Sequence, residues 1–119
     1  MSELKVANFS KSLPYVPEND GMCAVLFKLT NCSWCQKMEP VWSQLNSSIG
    51  FMKLYTFTVD RSTENSNHWK KIIKSLKNGH KIQGFPLVMM YSPSGKVILH
   101  TGYNSFDEMK DKLIQFAKA

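Results

Sequence analysis

The chain has 119 residues, 43% of them apolar, and a formal net charge of +6, which suits one globular domain with a real core. No apolar run approaches the roughly 20 residues that cross a bilayer, and "MSELKVANFS" lacks the greasy block and small-residue cleavage site of a secretory signal. A membrane protein is therefore not expected, nor is nucleic-acid binding, because no basic–aromatic recognition signature accompanies the charge.

The expected compartment is the cytoplasm, where thiols stay reduced. The cysteines are Cys23, Cys32 and Cys35. So few, and odd in number, they do not make a disulfide scaffold. The close pair points instead to redox chemistry or a metal.

In chain order, residues 1–21 open with the alternating "LKVANF", read as a short strand. Pro14, Pro17 and the turn-like "ENDG" make the rest an irregular arm. Residues 22–29, "MCAVLFKL", are short and almost continuously apolar, a strand covered on both faces. Beyond the cysteine pair, Cys35, Met38, Val41, Trp42 and Leu45 recur at helical spacing, with Pro40 inside the helix. Residues 51–60 are rich in aromatic and β-branched side chains and form the next strand.

The polar "RSTENSN" reads as a loop. In the helix after it, Trp69, Ile72, Ile73 and Leu76 share one face and Lys70, Lys71, Lys74 and Lys77 the other, with Gly79 as its stop. This 61–81 segment is an extended loop and helix. "FPLVMMY" and "KVILHTG" are strands joined through the tight turn "SPSG", which requires antiparallel pairing. Ser105 and Glu108 stand at capping-box spacing before a last helix that buries Phe106, Met109, Leu113, Phe116 and Ala117. The sum is one α/β domain over residues 1–119, a mixed sheet with helices on its faces.

The site expected from this pattern is "TNCSWCQKMEP". A thiol attacks only as its thiolate. Cys32 falls between a strand and a helix, where free N–H groups and the helix dipole favour an anion. Cys35 lies one turn further in, suited to resolve a mixed disulfide. The alternatives are a structural zinc site, inert packing, and an iron–sulfur cluster shared between two chains. Zinc wants four ligands, and Cys23, His68, His80 and His100 are dispersed, so no metal is expected. Cys23 reads as a small hydrophobe in a buried strand, with a regulatory thiol as the alternative. Trp34 is either an exposed substrate contact or a cover over Cys35.

Residues 22–118 resemble the thioredoxin family. The strand–Cys-x-x-Cys–helix order, "AVLFKLTNCSWCQKMEPVW", carries the likeness, with Pro40 at the family's kinking proline. "GFP" opens the next strand where the family has its cis-proline, and "SPSGKVILHTGYNSFDEMKDKLIQF" follows the closing hairpin, with Gly102 at the family's glycine. The resemblance implies a thioredoxin-like fold, a central mixed sheet flanked by helices. It implies a thiol–disulfide oxidoreductase acting on proteins that carry disulfides or thiols. Cys32 is then the nucleophile, Cys35 resolves, and Phe85 and Pro86 hold the substrate strand beside Trp34. No bound cofactor is needed, only an electron partner, either a reductase or a sulfhydryl oxidase. A monomer is expected.

Several positions depart from the family. Asn31 replaces the usual Trp, Ser33-Trp34 replaces Gly-Pro, and no His stands between the cysteines. Leu26 occupies the place of a buried Asp and Thr56 that of its Lys partner. Both members are gone, which avoids leaving one buried charge unpaired. Lys28, on the Leu26 face of its strand, is the candidate to lower the Cys32 pKa. The 60–86 connection is longer than the family's and is a candidate docking surface. A glutaredoxin-like, glutathione-dependent reductase and a non-catalytic binding module are the alternative functions.

Overall fold

The computed structural model describes residues 2–11, 16–18, 21–77 and 84–118, and only the main chain at 2, 76 and 77. The expected features at Pro14, Gly79 and His80, and the side chains of Leu76 and Lys77, lie outside the described residues. The elements are β1 (Ser2–Leu4), β2 (Cys23–Leu29), α1 (Ser33–Ser48), β3 (Lys53–Val59), α2 (Arg61–Glu64), α3 (Asn67–Lys77), β4 (Leu87–Tyr91), β5 (Val97–Thr101) and α4 (Phe106–Lys118). They build a five-stranded sheet in the order β1-β3-β2-β4-β5. β1 and β2 run parallel to β3, whereas β4 is antiparallel to both β2 and β5. This is the thioredoxin-like mixed sheet expected from the sequence.

β2 lies mid-sheet, and its alternating side chains enter two separate cores. Cys23, Val25 and Phe27 pack with Phe57, Leu87 and Met89 on the side covered by Trp69 and Ile72 of α3. Ala24 and Leu26 pack on the opposite face with Met38, Trp42 and Leu45 of α1 and Met109, Leu113 and Phe116 of α4. A strand buried on both faces needs the unbroken apolar run found here. α1 continues through Pro40, and the Trp42 indole N–H donates to the Tyr55 carbonyl at 2.9 Å. That bond satisfies a polar group on a side chain with no exposed surface.

The ends of the elements follow local chemistry. Ser105 N–H donates to Glu108 Oε1 at 3.0 Å and Glu108 N–H donates to Ser105 Oγ at 3.3 Å, the reciprocal cap that starts α4. The hairpin between β4 and β5 closes with Gly95 N–H donating to the Ser92 carbonyl at 3.0 Å, and Gly95 takes φ +92°.

Two local expectations need correction. "LKVANF" is not one strand: β1 ends at Leu4, and residues 6–8 form a 3₁₀ turn held by Lys5 N–H donating to Asn8 Oδ1 at 2.8 Å. "RSTENSN" is not all loop: its first four residues are the helical turn α2. Asp60 caps that turn, its Oδ1 accepting from Thr63 N–H at 2.8 Å and from Thr63 Oγ1 at 3.0 Å. The N-terminal arm also does more than wander. Phe9, 1% exposed, inserts beside Phe27 and Phe57 with ring centroids 6.1 and 5.7 Å away. Trp69 stacks on Phe57 at 5.2 Å, and the His68 ring Nε2 meets the Ser10 carbonyl at 2.8 Å, so arm, sheet and α3 share one aromatic core. Among the described residues no helix is long and apolar enough to cross a membrane.

His100 on β5 is partly buried near Lys112 of α4. Burial first, and the Lys112 charge second, hold its imidazole below its ordinary 6.5. The native state therefore disfavours the proton, while the unfolded chain takes it up near 6.5. This contribution to stability is present above that pH and is lost as pH falls through the depressed native value. Urea midpoints should drop between pH 7.5 and 5.5 by less in His100→Gln than in the parent chain.

Candidate active site

The turn from β2 into α1 is made by Asn31, whose φ of 60° lies in the left-handed region. Asn tolerates that conformation better than Trp or a β-branched residue. Asn31 thus has a local reason to stand where the family usually has Trp. Cys32 then caps α1 with extended backbone, and its Sγ accepts from Cys35 N–H at 3.2 Å. No acidic residue lies in the first turn to oppose a negative charge there.

Cys32 and Cys35 are joined in a disulfide, with their Cα atoms 5.2 Å apart. Their exposures differ: Cys32 is partly open to solvent and Cys35 is 2% exposed. Only one of the two sulfurs can meet a large partner directly.

Trp34, between the two cysteines in sequence, lines an open groove of about 360 Å³ together with Phe85, Pro86, Gly102 and Tyr103. The Phe85-Pro86 peptide is cis. Pro86 is tied to the groove floor, since Gly102 N–H donates to its carbonyl at 2.8 Å. Gly102 holds φ +89°, which a residue with Cβ adopts only under strain. Trp34 is 54% exposed, its ring 5.9 Å from that of Tyr103, and Lys37 Nζ sits 4.4 Å over the Trp34 ring. The structure thus brings Trp34, Phe85 and Pro86 into one groove. Tyr103 was missed in the sequence. Its signal was an aromatic residue directly after the glycine that ends β5.

Lys28 points toward α1, where its Nζ pairs with Glu39 Oε1. Glu39 lies one helical turn beyond Cys35, the neighbouring position on that face. Sequence reasoning named Lys28 without this partner. Leu26 has no exposed surface and stands directly across from Thr56 in the ladder, so both replaced family positions are adjacent in space.

Cys23 lies at the far end of β2, 1% exposed, where burial pushes its thiol up to about 11. It packs as a small apolar side chain opposite Tyr91. Among the described residues no group of three or more His, Cys, Asp or Glu side chains is placed to hold a metal ion.

The family model for a thioredoxin-like domain matches residues 9–117. The chain belongs to the thioredoxin-like family. Solved thioredoxin structures share its fold at low identity. Chloroplastic thioredoxin z superposes with a TM-score of 0.63 at 14% identity, over 84% of this chain and 81% of the other. Thioredoxin f from spinach chloroplast gives 0.60 at 17% identity, over 84% and 79%. No curated protein matches the sequence.

Within this thioredoxin-like domain, Leu26 and Thr56 form an uncharged neighbour pair at the sheet centre. Leu26→Asp alone should cost about 3–5 kcal/mol, because it places a carboxylate with no cation beside it in a fully buried site. Adding Thr56→Lys should recover part of that loss. Urea unfolding of the single and double variants measures both.

Proposed function

We propose that the protein is a thiol–disulfide oxidoreductase acting on disulfides of other proteins. The observation that carries this reading is the unequal cysteine pair: Cys32, accessible and capping α1, is bonded to buried Cys35, and Trp34 between them in sequence lines an apolar groove. The helix terminus stabilises the Cys32 thiolate with about half a unit charge and with free N–H groups.

In the reduced form the Cys32 thiolate attacks one sulfur of a substrate disulfide. A Cys32–substrate bond forms, and the other substrate sulfur leaves as a thiolate. Cys35 then loses its proton to the departing thiolate or to water, since Leu26 offers no acceptor. Its sulfur attacks Cys32 Sγ, forming the Cys32–Cys35 bond and releasing the second substrate sulfur. Two electrons have moved from the dithiol to the substrate. A reductase restores the dithiol. In the opposite direction, the disulfide oxidises a substrate dithiol and a sulfhydryl oxidase takes the electrons. The reading carries with it a cytoplasmic setting and a monomer.

The ladders of β4 end at Leu87, so Phe85 stands beyond the paired part of the strand. In this reading its main chain pairs with an extended substrate segment, with Pro86 beside it.

The test is reduction of insulin disulfides by dithiothreitol. The wild-type chain should accelerate it, and Cys32→Ser should fall to the uncatalysed rate. Equal rates for the two would leave a non-catalytic binding module as the better reading.

Lys28 tunes the same sulfur in this reading, with Glu39 opposing its charge. By Coulomb's law, Lys28→Met should raise the Cys32 pKa and Glu39→Gln should lower it. Thiolate absorbance of the reduced variants against pH reads both directions. If Lys28→Met leaves the pKa where it was, Lys28 has no such role.

A further inference from the structure

Among the described residues the large exposed apolar side chains are Trp34, Phe51 and Tyr103, and the groove lined by Phe85 and Pro86 holds two of them. Exposed aromatic residues gathered at one place mark a binding surface. Their geometry limits what can bind. The two rings lie 5.9 Å apart and tilted by 42°, too close for a third ring to slide between them. They act together as one wall of the groove. Phe85, Pro86 and Gly102 complete its lining.

A Cβ placed at Gly102 would meet no atom within 4 Å, so this lining residue borders open space. At about 360 Å³, the groove is at the small end of ligand pockets and fits one bulky side chain rather than a folded surface.

Charge sets a second condition. Lys37 lies over Trp34, and among the described residues it enters no salt bridge. Its ammonium stands over a ring that lines the groove, on a chain of net charge +6. A carboxylate close to the bound side chain would meet it.

We propose that this groove selects protein segments in which an aromatic or large aliphatic residue adjoins the half-cystine and a carboxylate follows close by. The inference concerns which disulfides are chosen, and so rests on the reading of Cys32 as the attacking sulfur. Tyr103, Trp34 and Lys37 are the residues that set specificity.

Two arms separate this inference from that reading. The first measures binding alone. The full chain carrying Cys32→Ser and Cys35→Ser is titrated into fluorescein-labelled peptides in which Ser replaces the half-cystine. The peptides carry Phe or Gly beside that Ser, and Glu or Gln two residues further on. The Phe peptide should bind about tenfold more tightly than the Gly peptide, the discrimination typical of an apolar slot. Adding Tyr103→Ala should abolish the preference, and Tyr103→Phe should retain it. Adding Lys37→Gln should remove the advantage of Glu over Gln and leave that of Phe over Gly.

The second arm measures turnover by the wild-type chain of the same peptides closed by a disulfide. Equal binding of the Phe and Gly peptides, or binding of neither, overturns the proposed selectivity whatever the turnover. A clear Phe preference without turnover keeps the selectivity and overturns the oxidoreductase reading.

Discussion

Everything at the site depends on how β2 ends. A strand buried on both faces must leave the sheet centre and start a helix within a few residues. Asn31 makes that possible by taking φ 60°, and Cys32 completes it by capping α1. The same turn fixes the chemistry. It places one sulfur against free N–H groups at a helix terminus and the other a turn deeper, sealed by the core. Had the strand run on by one residue, the pleat would have turned the cysteine to the opposite face.

The residues that depart from thioredoxins are consistent with one another. Leu26 and Thr56 are ladder neighbours, so an ion pair is absent as a unit and no buried charge is stranded. A charged pair does exist nearby, but between Lys28 and Glu39, with the Lys28 side chain 20% exposed and that of Glu39 44% exposed. Partial solvent contact lowers the desolvation cost of such a pair and also limits what it contributes.

How much of this could be read from the sequence follows from the range of each interaction. Strands and helices with strong periodicity were legible: the unbroken run of β2, the stripe of α1, the capping box of α4. So was the cysteine pair, because its spacing and flanking elements are local. What was not legible depends on contacts between distant segments. Phe9 looked like part of an irregular arm, and only the fold puts it against Phe27 and Phe57. Tyr103 gained meaning only when β5 brought it to Trp34, and Glu39 only when α1 lay across Lys28. The α2 turn was missed for a smaller reason, that its cap at Asp60 precedes residues with little apolar pattern.

Phe9 shows how far the core reaches along the chain. Likeness in the cysteine region runs from residue 22, yet the family match opens at residue 9, whose side chain packs in the same core as Trp69. A chain trimmed to residue 22 would keep Cys32 and Cys35 and lose Phe9 from the core it shares with Trp69 and Ile72 of α3. The core under α3 is thus completed by a side chain that comes well before the cysteine motif in the sequence.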